Sequence, residues 1–483
     1  MTELFGTDGI RGTVGEWPLV PEFFLKLGQV AGRILKTQKN ASFIIGRDTR
    51  HSGAMLQAAL SAGLLSSGVN IIDVRIIPTS AISWLIPHVI SAEAGAVISA
   101  SHNPAQQNGI KFFDRLGRKL SETIETEIEK LLLDDQFMPK TESHLGRLID
   151  GNTLHELYIQ DLLKEHPDNF LNGLSIVVDC SHGAASFIAP EVFQRAGAQV
   201  IVINASPTGS NINYFSGSEY IRRSPEKLGE TIQQRDANFG LAFDGDADRV
   251  VFIDEEGTLI DGDYMLGFLA RYLDQHDQLL ARSVVTTTMR NNGLKNFIDH
   301  LGLHLHETPV GDKYVSEKLM ELWNKSHETG KIGLGGEQAG HIILIDDNHI
   351  TGDGLRTALF VLRAYRESDN NTLAKFAAGV GKTPQIIASA YVGNGQRLDK
   401  NILQELENQL QNTYPDLVRV NIRYSGTEPL FRVMLESNEH RTEEDLAQIA
   451  TEVCKNAQSF ANHTDGHIDI LNCTRGGTIN ANH

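Results

Sequence analysis

"SFIIGRDTRHSGAMLQAALSAGLLSSGVNIIDV", residues 42–74, decides the fold because its pattern recurs. It reads as a strand over Phe43–Ile45, a polar turn, an amphipathic helix, Gly68 and a second strand over Val69–Val74. "LSIVVDCSHGAASFIAPEVFQRAGAQVIVIN" (174–204) repeats it, with strands at Ile176–Val178 and Val200–Ile203 and Gly197 between helix and strand. "SVVTTTMRNNGLKNFIDHLGLHLHET" (283–308) does so again, with Val284–Thr287, a helix, Gly302 and a strand from Leu303. Each glycine stands just past its helix, where a left-handed cap is strain-free without a Cβ. Strand, helix and strand at this spacing predict parallel or mixed sheets covered by helices.

A fourth segment differs. "IIASAYV", a helical "DKNILQELENQLQN", two strands in "VRVNIRYSGTEPLFRVMLES" and a helical "EEDLAQIATEVCKNAQSFA" read as a smaller α+β unit. The closing "NHTDGHIDILNCTRGGTINANH" has little periodicity and reads as a loose tail. Composition shifts place the expected boundaries at 1–150, 151–256, 257–375 and 376–483.

With 483 residues, several cores are required, since single cores stop growing near ~250–300 residues. The net charge of −18 argues against a nucleic-acid or anionic-membrane partner. A local cluster of Arg and Lys could still hold a small anion. Three scattered cysteines, Cys180, Cys454 and Cys473, give no disulfide framework. With neither a signal-peptide pattern nor a membrane-length apolar run, the expected setting is the cytoplasm.

Five polar loops interrupt the apolar pattern. "AVISASHNPAQQNGIKFF" (96–113) holds Ser101 and His102 on a loop from Ser99 to Gly109, too long for a tight hairpin. A Ser/Asn turn that satisfies its own backbone is the plain alternative, and the G-x-S-x-G elbow of a Ser-His hydrolase is absent. "LAFDGDADRVVFIDEEG" alternates Asp244, Asp246 and Asp248 between two apolar strands. Three such carboxylates repel one another unless a cation joins them, and oxygen ligands favour Mg²⁺ or Ca²⁺. An EF-hand fails here, because Arg249 stands at the glycine position and the flanks are strands. The aspartyl nucleophile of a dehalogenase-like phosphatase and a solvated acidic turn both stay open. "GLGGEQAGHIIL" offers Glu337, Gln338 and His341 for sugar hydroxyls or phosphate, or else is a glycine turn with a satisfied histidine. "RYSGTEPLFRV" is an anion clamp of Arg423, Ser425, Gly426 and Thr427, with Arg432 added if its strand turns it inward, or a β-turn with surface charges. "FGTDGIRG" sets Arg11 between glycines.

Together the loops supply a hydroxyl nucleophile, a divalent-cation site, hydroxyl-recognising groups and an anion clamp. That is equipment for phosphoryl transfer on a sugar phosphate, where positioning and charge neutralisation do most of the catalysis. In their order, Phe5–Gly12, Ser99–Pro104, Asp244–Arg249, Gly336–His341 and Arg423–Pro429, the five motifs resemble the α-D-phosphohexomutase superfamily nearly end to end, and its glucosamine branch most.

The resemblance implies four domains around a central cleft, the first three sharing a mixed α/β core. It implies that Ser101 carries a phosphoryl group, supported by His102, and that one Mg²⁺ is held by Asp244, Asp246, Asp248 and a phosphoserine oxygen. Arg11 and Lys111 would lie near the reacting phosphoryl group and Arg249 beside the metal loop. Glu337 and His341 would serve the sugar, and Arg423, Ser425, Gly426 and Thr427 the distal phosphate. The implied reaction interconverts glucosamine 6-phosphate and glucosamine 1-phosphate through a hexosamine 1,6-bisphosphate that is both intermediate and activator, feeding UDP-N-acetylglucosamine and cell-wall synthesis. A homodimer is the candidate assembly. Ala339, where the family pattern has serine, and Tyr424 in the clamp depart from the pattern. The rival readings are the phosphomannomutase/phosphoglucomutase branch, a Mg²⁺-dependent phosphatase with Asp244 or Asp246 as nucleophile, and a non-catalytic phosphosugar-binding regulator.

Overall fold

The computed structural model describes residues 4–6, 8–89, 92–134, 141, 143–326, 328–370, 372–393, 396–425, 429–438, 440–464 and 466–480. Its strands form four sheets, taken here in chain order. The first holds β1 (Ile10–Thr13), β2 (Ser42–Arg47), β3 (Asn70–Ile76), β4 (Ala92–Ile98), β5 (Gln107–Phe113) and β6 (Leu148–Asp150), ordered β1-β5-β4-β2-β3-β6. The second holds β7 (Ser175–Asp179), β8 (Gln199–Ile203), β9 (Phe239–Phe243), β10 (Val250–Ile253) and β11 (Leu259–Ile260), ordered β11-β10-β9-β7-β8. The third holds β12 (Leu279–Thr287), β13 (His304–Thr308), β14 (Ile332–Gly336) and β15 (Ile342–Ile345), ordered β13-β12-β14-β15.

One four-stranded core recurs in all three: β3-β2-β4-β5, β8-β7-β9-β10 and β13-β12-β14-β15. In each the first three strands run parallel and the fourth returns antiparallel. The predicted strand–helix–strand units are its first two strands and the crossover between them. Gly68, Gly197 and Gly302 have φ of +74°, +101° and +67°, the left-handed geometry expected past each helix. The antiparallel return has a consequence for the site. The turns β4–β5, β9–β10 and β14–β15 are equivalent places in three sheets, and they carry Ser101, the Asp triplet and Glu337 in turn. The first turn is shorter than its sequence suggests, because Gln107, Asn108 and Gly109 pair with Thr13, Gly12 and Arg11 of β1 and so belong to β5.

The fourth sheet is antiparallel throughout: β16 (Gln385–Tyr391), β17 (Leu417–Tyr424), β18 (Leu430–Ser437), β19 (Ile468–Asn472) and β20 (Thr478–Ile479), ordered β17-β18-β16-β19-β20. Helices Lys400–Thr413 and Glu443–Phe460 pack on it, the α+β unit expected. The closing segment is not loose. β19 covers the otherwise open edge of β16, seating Ile470 in the core, and β20 pairs with β19. Five- and two-residue strands separated by Cys473, Thr474, Arg475, Gly476 and Gly477 are too short to show periodicity.

One apolar core runs without a break through the first three sheets, from Val97 through Val178 and Phe243 to Val284 and Leu334. The fourth sheet has its own, around Ile386, Phe431, Leu435 and Leu446. Polar contacts hold this unit to its neighbours. Lys382 bridges Asp261 and the carbonyl of Cys473, Asn291 bonds Thr383, and Arg419 donates to the carbonyl of Thr288 at 2.6 Å. At the far end Gly477 N donates to the carbonyl of Arg222 at 2.8 Å and Arg223 pairs with Asp469. Among the described residues, no helix is long and apolar enough to cross a membrane.

Candidate active site

Ser101 sits on the β4–β5 turn with φ +50°, and its side chain is buried. The Oγ donates to Asp244 Oδ2 at 2.5 Å, across the seam between first and second sheets. Asp48, Arg50 and Ser99 support the turn from within the first sheet. Ser99 Oγ donates to Asp48 at 2.6 Å and accepts from Ser101 N at 2.9 Å. Arg50, paired with Asp48, donates to the carbonyls of Ser101 and Asn103 at 3.1 and 2.5 Å. His102 Nδ1 lies 3.4 Å from Ser101 Oγ. Burial, then the Arg249 guanidinium, pushes its pKa down to about 3, so the ring is neutral.

The β9–β10 turn places Asp244, Asp246 and Asp248 with ligand oxygens all within 4.8 Å of one another. Each uses its two oxygens differently. Asp244 accepts Ser101 Oγ on one and Arg249 N, at 3.2 Å, on the other. Asp246 Oδ2 takes Thr79 Oγ1 at 2.7 Å and Lys111 Nζ at 3.1 Å, while Asp248 Oδ2 takes Lys111 Nζ at 3.2 Å. The buried Oδ1 atoms of Asp246 and Asp248 have no hydrogen-bond partner among the described residues. Burial, then Asp248 and Asp246, raises the Asp244 carboxyl well above the usual carboxylate range. Two buried oxygens without hydrogen bonds, one of them 3.8 Å from Arg249 Nε, beside a third carboxylate whose charge is disfavoured, fit a hard divalent cation.

Lys111, on β5, is buried, which alone would discharge it. Asp246, Asp8 and Asp248, all within 3.2 Å of its Nζ, instead raise its pKa well above the ordinary value. Asp8 also pairs with Arg11 and Lys119, and Lys119 reaches Asp312 of the third unit. Ser101, His102, Arg11, Lys111, Arg249 and the triad therefore form one cluster.

Glu337, on the β14–β15 turn, accepts Gly311 N at 3.2 Å, and its charge acts on both Arg249 and Arg423. His341 is buried behind it, with Nε2 3.9 Å from Asp312 and Gly352 against its ring. Gln338 is buried and donates 2.8 Å bonds to Asp263 and Gln385. On β17, Val420, Ile422 and Tyr424 pack into the fourth core, which turns Arg419 and Arg423 to the other face. Arg423 stands opposite Arg432, so that strand does add a second guanidinium. Burial, then Arg432, lowers the Arg423 pKa, against the pull of Glu337. Tyr424 packs on Phe431 and its oxygen accepts Leu398 N at 3.0 Å, which makes it a prop of the fourth unit. Ser425 is buried, with N donating to the Leu430 carbonyl at 2.8 Å; Gly426 and Thr427 lie outside the described residues. Glu255, the twelfth position of the rejected EF-hand, instead accepts Leu373 N at 3.1 Å.

Sequence reasoning missed Asp8, Asp48, Arg50, Thr79, Lys119 and Asp312. The available signal was "GRDTR" (46–50), a polar run at the carboxyl end of a parallel strand, where sites gather in open α/β sheets.

Models of the phosphoglucomutase/phosphomannomutase alpha/beta/alpha domains I, II and III match residues 2–138, 156–257 and 261–382, and that of the C-terminal domain matches 364–455. The chain is 41% identical over 466 residues to a phosphoglucosamine mutase of Desulforamulus reducens, covering 96% of this chain and 100% of the relative. It is 40% identical over 451 residues to one of Carboxydothermus hydrogenoformans, covering 92% and 98%. A phosphoglucomutase/phosphomannomutase family protein of Burkholderia thailandensis superposes with a TM-score of 0.75 at 21% identity, covering 95% of this chain and 98% of that one. An N-acetylphosphoglucosamine mutase of Aspergillus fumigatus, solved with GlcNAc-6P and magnesium, superposes with a TM-score of 0.63 at 17% identity, covering 95% and 96%.

Proposed function

The chain belongs to the phosphoglucomutase/phosphomannomutase family, and from that premise we propose that it interconverts glucosamine 6-phosphate and glucosamine 1-phosphate in the cytoplasm as a phosphoserine mutase. The 2.5 Å bond from Ser101 Oγ into the Asp triad supports the reading best, since it sets a buried hydroxyl of this turn directly against the acidic loop that would bind a cation. The unit 1–150 brings two of the five loops, and 151–256, 257–375 and 376–483 bring one each.

Asp244, Asp246 and Asp248 would hold one Mg²⁺ with an oxygen of phosphorylated Ser101. That ion neutralises charge on the transferring phosphoryl group. A phosphoserine dianion among three carboxylates would otherwise be strongly repelled. Ser101 gives its phosphoryl group to the free hydroxyl of the sugar monophosphate, forming a hexosamine 1,6-bisphosphate. After the bisphosphate turns end for end, Ser101 Oγ takes back the other phosphoryl group. Lys111 and Arg11 supply fixed positive charge beside the transfer. Neutral His102 bonds the serine oxygen without adding charge. Glu337 holds sugar hydroxyls and faces the 2-ammonium group, backed by His341, while Arg249 links Glu337 to the metal loop. Arg423, Ser425, Gly426 and Thr427 hold the distal phosphate, whichever end it is on.

Intact mass and peptide mapping test the mechanism. A phosphate increment should map to Ser101, and Ser101→Ala should lose at least about 10³-fold in kcat while keeping its fold. Comparable activity in that variant refutes it. Comparing kcat/KM for glucosamine, glucose and mannose 6-phosphates tests the substrate, and a neutral sugar in the lead would move the chain to the other branch.

A further inference from the structure

Taking Ser101 as the phosphoryl carrier, we propose that Asn213, on a loop of the second unit, is a positioning residue that sets Ser101 for transfer. Its Nδ2 donates to the carbonyls of Ser101 and Asn103 at 2.8 and 2.9 Å. Arg50 of the first unit donates to the same two carbonyls. The serine turn is thus gripped from both sides of the seam between two units. The orientation of the Asn213 amide is fixed, because its Oδ1 accepts Ser181 Oγ at 2.7 Å and so leaves only Nδ2 facing the turn. Ser181 N is in turn held by Asp179 at 2.8 Å, at the end of β7.

Two further features fit this role. Asn213 has φ +60°, a left-handed conformation that Asn tolerates better than most residues. The metal loop also touches the same carbonyl. A Cβ on Gly245 would lie 2.6 Å from Ser101 O and 2.9 Å from Asn213 Nδ2. Ser101 itself is left-handed at φ +50°, a conformation that persists only where its surroundings over-determine it. Fixing its carbonyl fixes the peptide plane, and with it the direction in which Oγ leaves the backbone. Asp179 and Asn213 belong to the same unit as the triad, so this grip registers the serine to the metal loop rather than to its own sheet.

Asn213→Asp is the sharpest probe. It is isosteric, tolerates the left-handed backbone and still accepts from Ser181, but cannot donate to the two carbonyls. Asn213→Gly keeps the backbone and removes the side chain. Assayed with Mg²⁺, bisphosphate activator and glucosamine 6-phosphate, both should lose about 10- to 100-fold in kcat, the scale of a 1 Å misplacement, with KM changed less than about threefold. Thermal unfolding and Ser101 phosphate content are measured on the same samples. Wild-type kcat per folded, phosphorylated enzyme in either variant overturns the proposal, as does a rise in KM without a fall in kcat. If Ser101→Ala is inactive while both Asn213 variants turn over normally, only this inference fails. If Ser101→Ala turns over normally, the phosphoserine reading fails and takes the inference with it.

Discussion

Two cations, buried Lys111 at the serine end of the cleft and half-buried Arg423 at the proposed clamp end, are shifted in opposite directions. Lys111 has three carboxylates within 3.2 Å and its charged form is held firmly. Arg423 is set against another guanidinium; burial and that neighbour both disfavour its charge, and its Nε has no hydrogen-bond partner among the described residues. The serine end is an assembled ion cluster before any substrate arrives. The other end stores repulsion that, on the proposed reading, an incoming phosphate dianion would relieve. Positive charge therefore means different things at the two ends: at the first it is part of the fold, and at the second it would be part of the binding energy.

Substituting each cation by a neutral residue should separate these roles. Lys111→Met strips Asp246 of its ion-pair partner and leaves Asp8 to Arg11 and Lys119 and Asp248 to Arg249 alone, and removing one partner of a buried ion pair costs about 3–5 kcal/mol. Denaturant titration of metal-free protein should show that loss. Added Mg²⁺ should recover part of it, because a cation that binds only the folded triad stabilises by mass action. A variant as stable as wild type without metal would show that the cluster is not prepaid in the fold.

Arg423→Gln should do the reverse. Stability should stay within about 1 kcal/mol of wild type, since a repelled charge is lost, while KM for the sugar phosphate rises about 10- to 100-fold, as for one lost charge-assisted contact. A large loss of stability with unchanged KM would erase the contrast.

A third seam gives the smallest effect. His349 lies 2.9 Å from Asp161 and 3.1 Å from Asp346, with Glu165 and Arg356 beside it, between the second and third units. Burial and Arg356 lower its pKa, but the bonds to Asp161 and Asp346 outweigh them and leave it above the ordinary 6.5. A raised histidine contributes stability that is full below the unfolded value and is lost as pH rises through the folded one. Thermal midpoints should therefore fall as pH climbs above about 6.5, the unperturbed value, and His349→Gln should flatten that slope. An unchanged slope in the variant would assign the dependence to other groups.

The legible parts of this chain were those with local rules. Gly68, Gly197 and Gly302 announced helix ends, and alternating Asp244, Asp246 and Asp248 announced a clustered acidic loop, because both patterns are set within a few residues. Lys111 and Asn213 were harder for one reason. Lys111 looks like one polar residue in an apolar strand, and its meaning comes from carboxylates 103 or more positions away in sequence, at Asp8, Asp246 and Asp248. Asn213 acts on carbonyls more than a hundred residues distant, which no spacing records. β19 and β20 were missed because a short strand against an existing edge takes its stability from the partner and needs no pattern of its own.

Those two strands also change the mechanics of the molecule. The fourth unit follows the third along the chain and is tied to it at Lys382 and Thr383, yet its last strands return to the second unit at Arg222 and Arg223. The second, third and fourth units are thus links in a closed linkage, with the first two of them welded by a shared core. A closed linkage has fewer freedoms than an open arm. While both ties hold, the clamp can only roll over its two footings, and a wide swing away from the cleft requires the Arg222 and Arg223 footing to let go first.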